Sequence, residues 1–271
     1  MSESVTGSTD LLSLVGYQGL DDHYASLRYA GMIQQALMPD PELLGEVFGD
    51  YFVLFLPRDI VSGDFYYVFR NRDYLCIASG DCTGHGVPGA LMSILGISFL
   101  NELLQSRETI KANRILNIMR EKVMKALHQT GDKAETKDSI DIGLCVIDSN
   151  RSRMQFAGAN RPLVRVRKGE LTEFKPDLMT IGVAPIREKA FTNISIDTAP
   201  GDIFYMYSDG FSDQFGEVTN KKLKHKNFKK LLETVSGLKV ADQKDHLETA
   251  FCKWKGSVPQ VDDVLVFGFQ F

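Results

Sequence analysis

The chain has 271 residues, of which 44% are hydrophobic and 24% are charged, as expected of a folded globular protein rather than a disordered or fibrous one. Its net charge of −4 provides no positive field to attract nucleic acid, and no apolar run approaches the ~20 residues that span a membrane. Because it also lacks a signal-peptide pattern and has four scattered cysteines, we expect a cytoplasmic protein with reduced thiols and neither a nucleic-acid nor a membrane partner.

The first 47 residues are predicted to form a separate N-terminal segment. Residues 1–19 are rich in Ser, Gly and Thr and are expected to form a mobile arm. Apolar residues then recur three or four apart over 21–38, which predicts an amphipathic helix that ends at Pro39. Two interpretations of this helix stay open: it packs on its own domain, or it is a regulatory helix that either forms a homodimer or receives a signal.

Residues 48–271 are dominated by strand signals and are predicted to form one catalytic domain. The runs rich in β-branched and aromatic residues are 51–57, 65–70, 74–79, 139–148, 154–158, 191–196, 203–208 and 264–271, with a hairpin over 163–174. Pairs of helices are predicted between them, at 88–105 with 111–128 and at 227–235 with 242–253. Hairpin-linked strands with grouped helices favour an α+β fold with antiparallel sheets over a doubly wound parallel sheet.

Four aspartates share one predicted sequence context, a strand run followed at once by a turn that contains glycine or a second acid. They are Asp64, Asp81, Asp209 and Asp262. A sheet holds such a side chain rigidly while its carboxylate projects toward solvent. Mg²⁺ and Mn²⁺ prefer oxygen ligands, and the sequence offers no comparable His or Cys cluster. The pattern therefore predicts a site for two metal ions and hydrolysis of a phosphate ester by metal-activated water.

Eight motifs follow one another between residues 34 and 271. They are QQALMP, LPRDIVSGDFYYV, DCTGHGVPGALMSILG, SIDIGLCVID, AGANRPLVRVRKGEL, IGV, GDIFYMYSDGFSDQFG and VDDVLVFG. Their order and wording resemble the PPM family of metal-dependent serine/threonine phosphatases, in the bacterial branch named after sporulation protein E. The resemblance implies two antiparallel β-sheets packed as a sandwich with helices on both outer faces. It also implies hydrolysis of phosphoserine and phosphothreonine in proteins.

The resemblance assigns roles to individual residues of this sequence. Two Mn²⁺ or Mg²⁺ ions are expected at Asp64, Asp81, Asp209 and Asp262, with the Cys82 carbonyl assisting Asp81. The residues expected to support these ligands are Asp263, Gly63 and Gly210. Asp213 falls where some relatives bind a third, weaker ion; the alternative is a solvated loop acid.

Two further residues are candidates for the catalytic machinery. His85 could donate a proton to the leaving serine oxygen, or it could orient the glycine turn around it. Arg58 could clamp the substrate phosphate with its planar guanidinium, or it could be a surface arginine.

The sequence departs from the family pattern at Leu265, where a Thr is common, and at Ala159, where a His is common. Neither departure removes a metal-binding carboxylate, but both put fine positioning in doubt.

The resemblance also implies a partner-switching pathway, in which the phosphorylated protein substrate is an anti-sigma-factor antagonist. Two alternatives stay open: a pseudophosphatase that acts as a phosphoprotein-binding regulatory module, and a metal-dependent phosphodiesterase or small-molecule phosphatase.

The basic stretch at 221–230 is either a solvated loop or a docking surface for an acidic substrate. The Cys145-x5-Arg151 spacing is interpreted as accidental, because Cys145 lies in a buried-strand pattern.

We also hypothesise a regulatory role for the 21–38 helix. In this hypothesis it governs activity by positioning the helix that follows the Asp81 turn, since switches often use packed elements with two stable arrangements.

Overall fold

The computed structural model describes residues 9–105, 111–129, 136–183 and 189–271. The helices in these ranges are α1 (Thr9–Leu37), α2 (Pro41–Val47), α3 (Gly86–Gln105), α4 (Ala112–Ala126), α5 (Gly210–Asp213), α6 (His225–Val235) and α7 (Val240–Lys255). The strands are β1 (Tyr51–Leu56), β2 (Phe65–Arg70), β3 (Tyr74–Cys82), β4 (Ile140–Asp148), β5 (Arg153–Ala159), β6 (Leu163–Arg167), β7 (Glu170–Phe174), β8 (Ile194–Asp197), β9 (Ile203–Tyr207) and β10 (Val264–Gln270).

The strands form two antiparallel sheets of five strands each. One sheet has the order β1-β10-β9-β6-β7, and the other has the order β2-β3-β4-β5-β8. The predicted hairpin over 163–174 is present as β6 and β7, with Lys168 and Gly169 at positive φ in its two-residue turn. Strand β8 begins at Ile194 rather than at residue 191, and the short helices α2 and α5 were not predicted.

The two sheets pack face to face, and helices cover both outer faces. Phe156, Phe204, Met206 and Phe267 are buried in the cluster between the sheets. Helices α3 and α4 cover the β2–β8 sheet, whereas α6 and α7 cover the β1–β7 sheet. The predicted α+β sandwich with helices on both outer faces is therefore confirmed.

Helix α3 is long and apolar enough, by length and composition, to cross a membrane. The expectation that no apolar run approaches that length therefore fails for 86–105. In the fold, however, α3 buries Gly96, Ile97, Leu100 and Leu104 and packs on α4 and the sheet beneath it. This packing accounts for its apolar composition as that of a core helix.

Helix α1 begins at Thr9, so it includes residues 9–19, which the sequence analysis assigned to a mobile arm. No proline interrupts the chain before Pro39, and elongation of a nucleated helix is favourable. After Leu37 the chain turns, and the Asp40 carboxylate accepts a hydrogen bond from the Leu43 N–H at the start of α2. Residues 1–8 lie outside the described part of the chain.

The face that α1 buries is not its predicted apolar face. Gly31, Gln34 and Met38 are buried, while Tyr24 and Ile33 of the apolar stripe are about half exposed. A Cβ on Gly31 would lie 3.0 Å from the Ile60 carbonyl oxygen, so this glycine permits a close approach of α1 to the 58–64 loop. Helix α1 thus contacts its own domain through Gly31 and Gln34, and Met38 continues this contact just beyond the end of the helix.

Candidate metal centre

The two sheets bring the four predicted ligands to one end of the sandwich. Asp64 immediately precedes β2 and Asp81 lies at the end of β3, while Asp209 follows β9 and Asp262 precedes β10. Asp64 and Asp262 therefore precede strands, whereas the sequence analysis placed them after strands. Because neighbouring antiparallel strands run in opposite directions, the start of one strand and the end of its neighbour share an edge.

Asp64 is the most deeply buried of these carboxylates. It is 2% exposed, and its Oδ2 atom is buried without a hydrogen-bond partner. Burial, followed by the charge of Asp81, raises the pKa of Asp64 well above its ordinary value. An orphaned carboxylate oxygen of this kind is costly unless it is protonated or binds a cation.

Neighbouring carboxylates also perturb Asp81 and Asp262. Burial raises the pKa of Asp81 from 3.8 to about 7; Arg161 opposes this shift, and Asp209 and Asp262 add to it. Burial likewise raises the pKa of Asp262, and the Asp209 charge contributes to the shift. This end of the sandwich therefore carries more negative charge than its protein surroundings neutralise.

A consequence should appear in metal-free protein. A carboxylate with a raised folded-state pKa stabilises the fold while it is protonated, and this stability is lost as pH rises through that pKa. In EDTA, we therefore expect the free energy of unfolding to fall between about pH 4 and pH 7, on the order of 2–4 kcal/mol. Urea unfolding at pH 4, 5, 6 and 7 measures it. Stability that is flat or rising across this window would contradict the prediction.

Asp263 connects the loop that carries Asp64 to the start of β10. Its Oδ1 accepts a hydrogen bond of 2.7 Å from the Arg58 backbone N–H, and its Oδ2 accepts one of 2.7 Å from the Gly63 N–H. The Asp263 side chain is buried, so these backbone bonds replace its hydration. Asp263 thereby holds the Asp64 loop in register with Asp262.

The glycines beside the ligands lie where backbone segments approach closely. A Cβ on Gly63 would lie 2.7 Å from the Gly84 carbonyl oxygen, and a Cβ on Gly210 would overlap the Asp263 carbonyl oxygen. Any larger residue would push apart the segments that carry Asp64, Asp209 and Asp262.

Two residues of this site were missed by the sequence analysis. Asp141 is the direct cross-strand neighbour of Asp81, and Arg161 lies in the loop between β5 and β6. The Arg161 Nη2 atom is 2.7 Å from Asp81 Oδ2, 2.8 Å from Asp209 Oδ2 and 3.6 Å from Asp141 Oδ2. The sequence signal that could have identified Asp141 was a charged residue inside a predicted strand, between the apolar residues Ile140 and Ile142.

The structure places the remaining predicted residues at the edge of this cluster. His85 Nδ1 is 2.9 Å from Asp59 Oδ2, and both side chains are about half exposed. The Arg58 guanidinium donates a hydrogen bond to the Val261 carbonyl.

Asp213 forms an ion pair of 2.6 Å with Lys222, so it is not drawn into the four-aspartate group. Burial, followed by the Asp81 charge, raises the pKa of the Cys82 thiol well above its ordinary value, which disfavours the thiolate that binds metal and leaves the Cys82 carbonyl as the candidate ligand atom.

A cleft of 230 Å³ lies at this end of the sandwich. It is lined by Asp81, Cys82, Thr83, Gly84, Ser139, Asp141, Arg161, Asp209 and Asp262. The donors are hard oxygens, which together with the orphaned Asp64 oxygen suit divalent ions such as Mg²⁺ and Mn²⁺. Within the described residues, however, no group of three or more Asp, Glu, His or Cys side chains is arranged so that it could hold a metal ion without side-chain movement.

Helix α1 is connected to this site by one buried side chain, Gln34. Its amide oxygen accepts a hydrogen bond of 3.0 Å from the Ser62 N–H, and its amide nitrogen donates to the Ser62 carbonyl. The same nitrogen donates to the Ser93 hydroxyl of α3 at 2.8 Å. Gln34 therefore joins α1, the loop that carries Asp64 and the helix that follows the Asp81 turn.

Two other sequence features lie outside the centre. Cys145 is fully buried in β4, and burial raises the pKa of its thiol, so it lacks the properties of a nucleophilic cysteine. Within the basic stretch, Lys222 and Lys229 are paired with Asp213 and Glu173. Any docking by this stretch would therefore use its other lysines.

Comparisons with known proteins address the family and the fold of this chain. The family model of stage II sporulation protein E (SpoIIE) matches residues 71–271. The SiaA-PP2C domain of Pseudomonas aeruginosa is 30% identical, with a TM-score of 0.83 over 93% of this chain and 98% of that one. No curated protein sequence matches significantly.

Two more distant structures share the fold. The PP2C phosphatase domain of SpoIIE from Bacillus subtilis, with a fragment of its regulatory domain, is 20% identical, with a TM-score of 0.64 over 82% of this chain and 63% of that one. The RsbU and RsbW domains of Rv1364c from Mycobacterium tuberculosis are 20% identical, with a TM-score of 0.61 over 82% and 59%. The chain belongs to the SpoIIE family, within the PPM group of PP2C-like phosphatase domains.

Proposed function

We propose that this chain is a metal-dependent phosphoprotein phosphatase that hydrolyses phosphoserine and phosphothreonine. The observation that carries this proposal is that Asp81, Asp209 and Asp262, from two sheets, line one cleft, while Asp64, close enough to feel the Asp81 charge, has a buried oxygen that lacks a partner. Membership of the SpoIIE family supports it.

Two Mn²⁺ or Mg²⁺ ions would be held by Asp64, Asp81, Asp209 and Asp262, with help from the Cys82 carbonyl. Such ions lower the pKa of water and neutralise charge on a phosphoryl group. The chain itself supplies the rigid strand ends that position the carboxylates, and Asp263 fixes the 58–64 loop against β10. A third, weaker ion at Asp213 would first require release of Lys222.

His85 and Arg58 would act on the substrate from the rim of the cleft. The Asp59 carboxylate holds the His85 ring at Nδ1, which leaves Nε2 as the ring nitrogen that could donate a proton to the leaving serine oxygen. Arg58 is placed by its backbone bond to Asp263, and its exposed guanidinium could turn from Val261 to a phosphate oxygen.

We further propose that α1 regulates the site. Gln34 gives α1 a direct connection to the Asp64 loop and to α3. The exposed apolar side chains of Tyr29, Met32, Ile33 and Leu37 leave a face that suits a homodimer. The named relatives include RsbU and RsbW domains, which supports a cytoplasmic partner-switching role with a phosphorylated anti-sigma-factor antagonist as substrate.

Phosphate release from a phosphoserine peptide tests the function. We expect hydrolysis with Mn²⁺ or Mg²⁺ and none in EDTA, with little activity on nucleotides. Tight binding of a phosphoprotein without turnover in any metal would instead favour a pseudophosphatase. Hydrolysis of nucleotides but not of phosphopeptides would favour the phosphodiesterase or small-molecule class.

A further inference from the structure

Arg161 places a positive charge inside the group of predicted metal ligands. A single nitrogen, Nη2, lies within 3 Å of both Asp81 and Asp209. Its side chain is only 10% exposed, and its Nε atom is buried without a hydrogen-bond partner. In the described residues, Arg161 is the only Lys or Arg that forms an ion pair with any of the four predicted ligands.

The loop that carries Arg161 fixes the origin of this side chain. Asn160 has a positive φ of 55° and donates a hydrogen bond to Asp141, and its N–H is bonded to the Asp177 carbonyl. A Cβ on Gly158 would lie 2.5 Å from the Arg161 carbonyl oxygen, so the loop is packed closely on β5. The guanidinium can therefore leave the acids only by rotation of its own side chain.

The charge of the acids accounts for the placement of this guanidinium. Burial lowers the pKa of Arg161, but Asp81, Asp209 and Asp141 outweigh burial and raise it. A buried arginine without such partners would be strongly unfavourable, as would the carboxylates without a cation. The Arg161 guanidinium and these carboxylates therefore stabilise one another when divalent ions are absent.

We propose that Arg161 is an internal cation that competes with divalent metal for Asp81 and Asp209, and thereby limits how tightly the centre binds metal. The inference rests on the proposed metal site. Arg161 Nη2 forms ion pairs with Asp81 Oδ2 and Asp209 Oδ2 and donates a charged hydrogen bond to the latter, so a second cation beside these carboxylates is repelled. Metal binding must therefore displace Arg161 from at least one carboxylate.

Titration with Mn²⁺ alone tests the proposal, by calorimetry or by electron paramagnetic resonance of the free ion. We expect Arg161→Met to bind Mn²⁺ at least about tenfold more tightly than wild type, because one positive charge next to the ion is removed. The matched control is Arg165→Met on β6, where the guanidinium lies over Phe174 instead. Its Mn²⁺ affinity should equal that of wild type. Unchanged or weaker binding by Arg161→Met would overturn the proposal.

Thermal unfolding provides a second readout. In EDTA, Arg161→Met should unfold at a lower temperature than wild type, yet gain more stability from saturating Mn²⁺. If the Met variant does not fold, Arg161→Gln keeps a polar side chain without the charge and is expected to show the same tighter binding. An Arg161→Gln affinity equal to that of wild type would overturn the proposal equally.

The outcomes separate this proposal from the proposed function. Tighter Mn²⁺ binding by the variant supports the role of Arg161 even if no phosphopeptide is hydrolysed. Conversely, metal-dependent hydrolysis by wild type with no change in Mn²⁺ affinity in either Arg161 variant overturns the role of Arg161 alone. Failure of every form to bind Mn²⁺ overturns both.

Discussion

Replacement of Asp81 by Asn is expected to reduce metal-dependent phosphate release by more than about a hundredfold, since loss of a mere supporting residue around a metal already costs ~10–100-fold. Asp81 is central to the proposed site: it lies across the strand pair from Asp141 and at the end of β3 beside Asp64 and Asp209. Asn keeps the shape of the side chain but removes the negative charge that attracts divalent ions. Initial rates on a phosphoserine peptide with Mn²⁺ or Mg²⁺ measure the effect.

The control for this change is Asp245→Asn, an exposed acid of α7 that does not line the cleft. It should retain the wild-type rate. Circular dichroism in EDTA should show that Asp81→Asn is folded, and even stabilised near pH 7, because it removes a carboxylate whose pKa is raised by burial. Retention of more than about a tenth of the wild-type rate would contradict a ligand role for Asp81.

Replacement of Gln34 by Leu is expected to lower turnover on the order of a hundredfold, although Gln34 touches no predicted ligand. Leu is similar in size but leaves the Ser62 N–H without its side-chain acceptor and removes one of the two side-chain donors to the Ser62 carbonyl. The Asp64 loop and α3 would then lose their shared anchor, and shifts of about 1 Å in a catalytic centre can have effects of this size. The loss of buried hydrogen bonds should also reduce the free energy of unfolding by about 1–3 kcal/mol.

Gln35→Leu is the matched control, since this neighbouring side chain is exposed on the same helix turn. Rates should be compared at a temperature where urea unfolding shows all three proteins fully folded. Under those conditions, a merely structural role would leave kcat and Mn²⁺ affinity of Gln34→Leu unchanged. A positioning role requires kcat to fall with Gln34→Leu and to stay near wild type with Gln35→Leu.

Local patterns in the sequence were sufficient for the architecture. Runs such as FYYVFR and VLVFGFQF have the β-branched and aromatic composition that fits a sheet covered on its faces, and each forms a strand in the structure. The Lys168-Gly169 turn was recognisable because a two-residue hairpin needs positive φ. The motif order was likewise sufficient to identify the family and the four candidate ligands.

Local patterns were less informative about the N-terminal segment. The serine- and glycine-rich composition of residues 1–19 predicted an arm, whereas α1 extends back to Thr9. The periodicity of 21–38 correctly predicted a helix, but its apolar stripe is largely exposed and its buried contacts are made by Gly31, Gln34 and Met38. Periodicity identifies a face that can be buried; it does not identify which partner covers it.

The amino-acid sequence by itself therefore determined the fold class, the family and the acidic character of the centre. These properties depend on strand propensity, turn chemistry and the order of the motifs along the chain. The tertiary structure alone decided which further groups meet there. Asp141 reaches Asp81 through strand pairing, Arg161 reaches Asp209 across 48 residues, and Gln34 reaches Ser93 across 59. Such contacts depend on strand register and helix packing, which bring together residues that no local pattern relates.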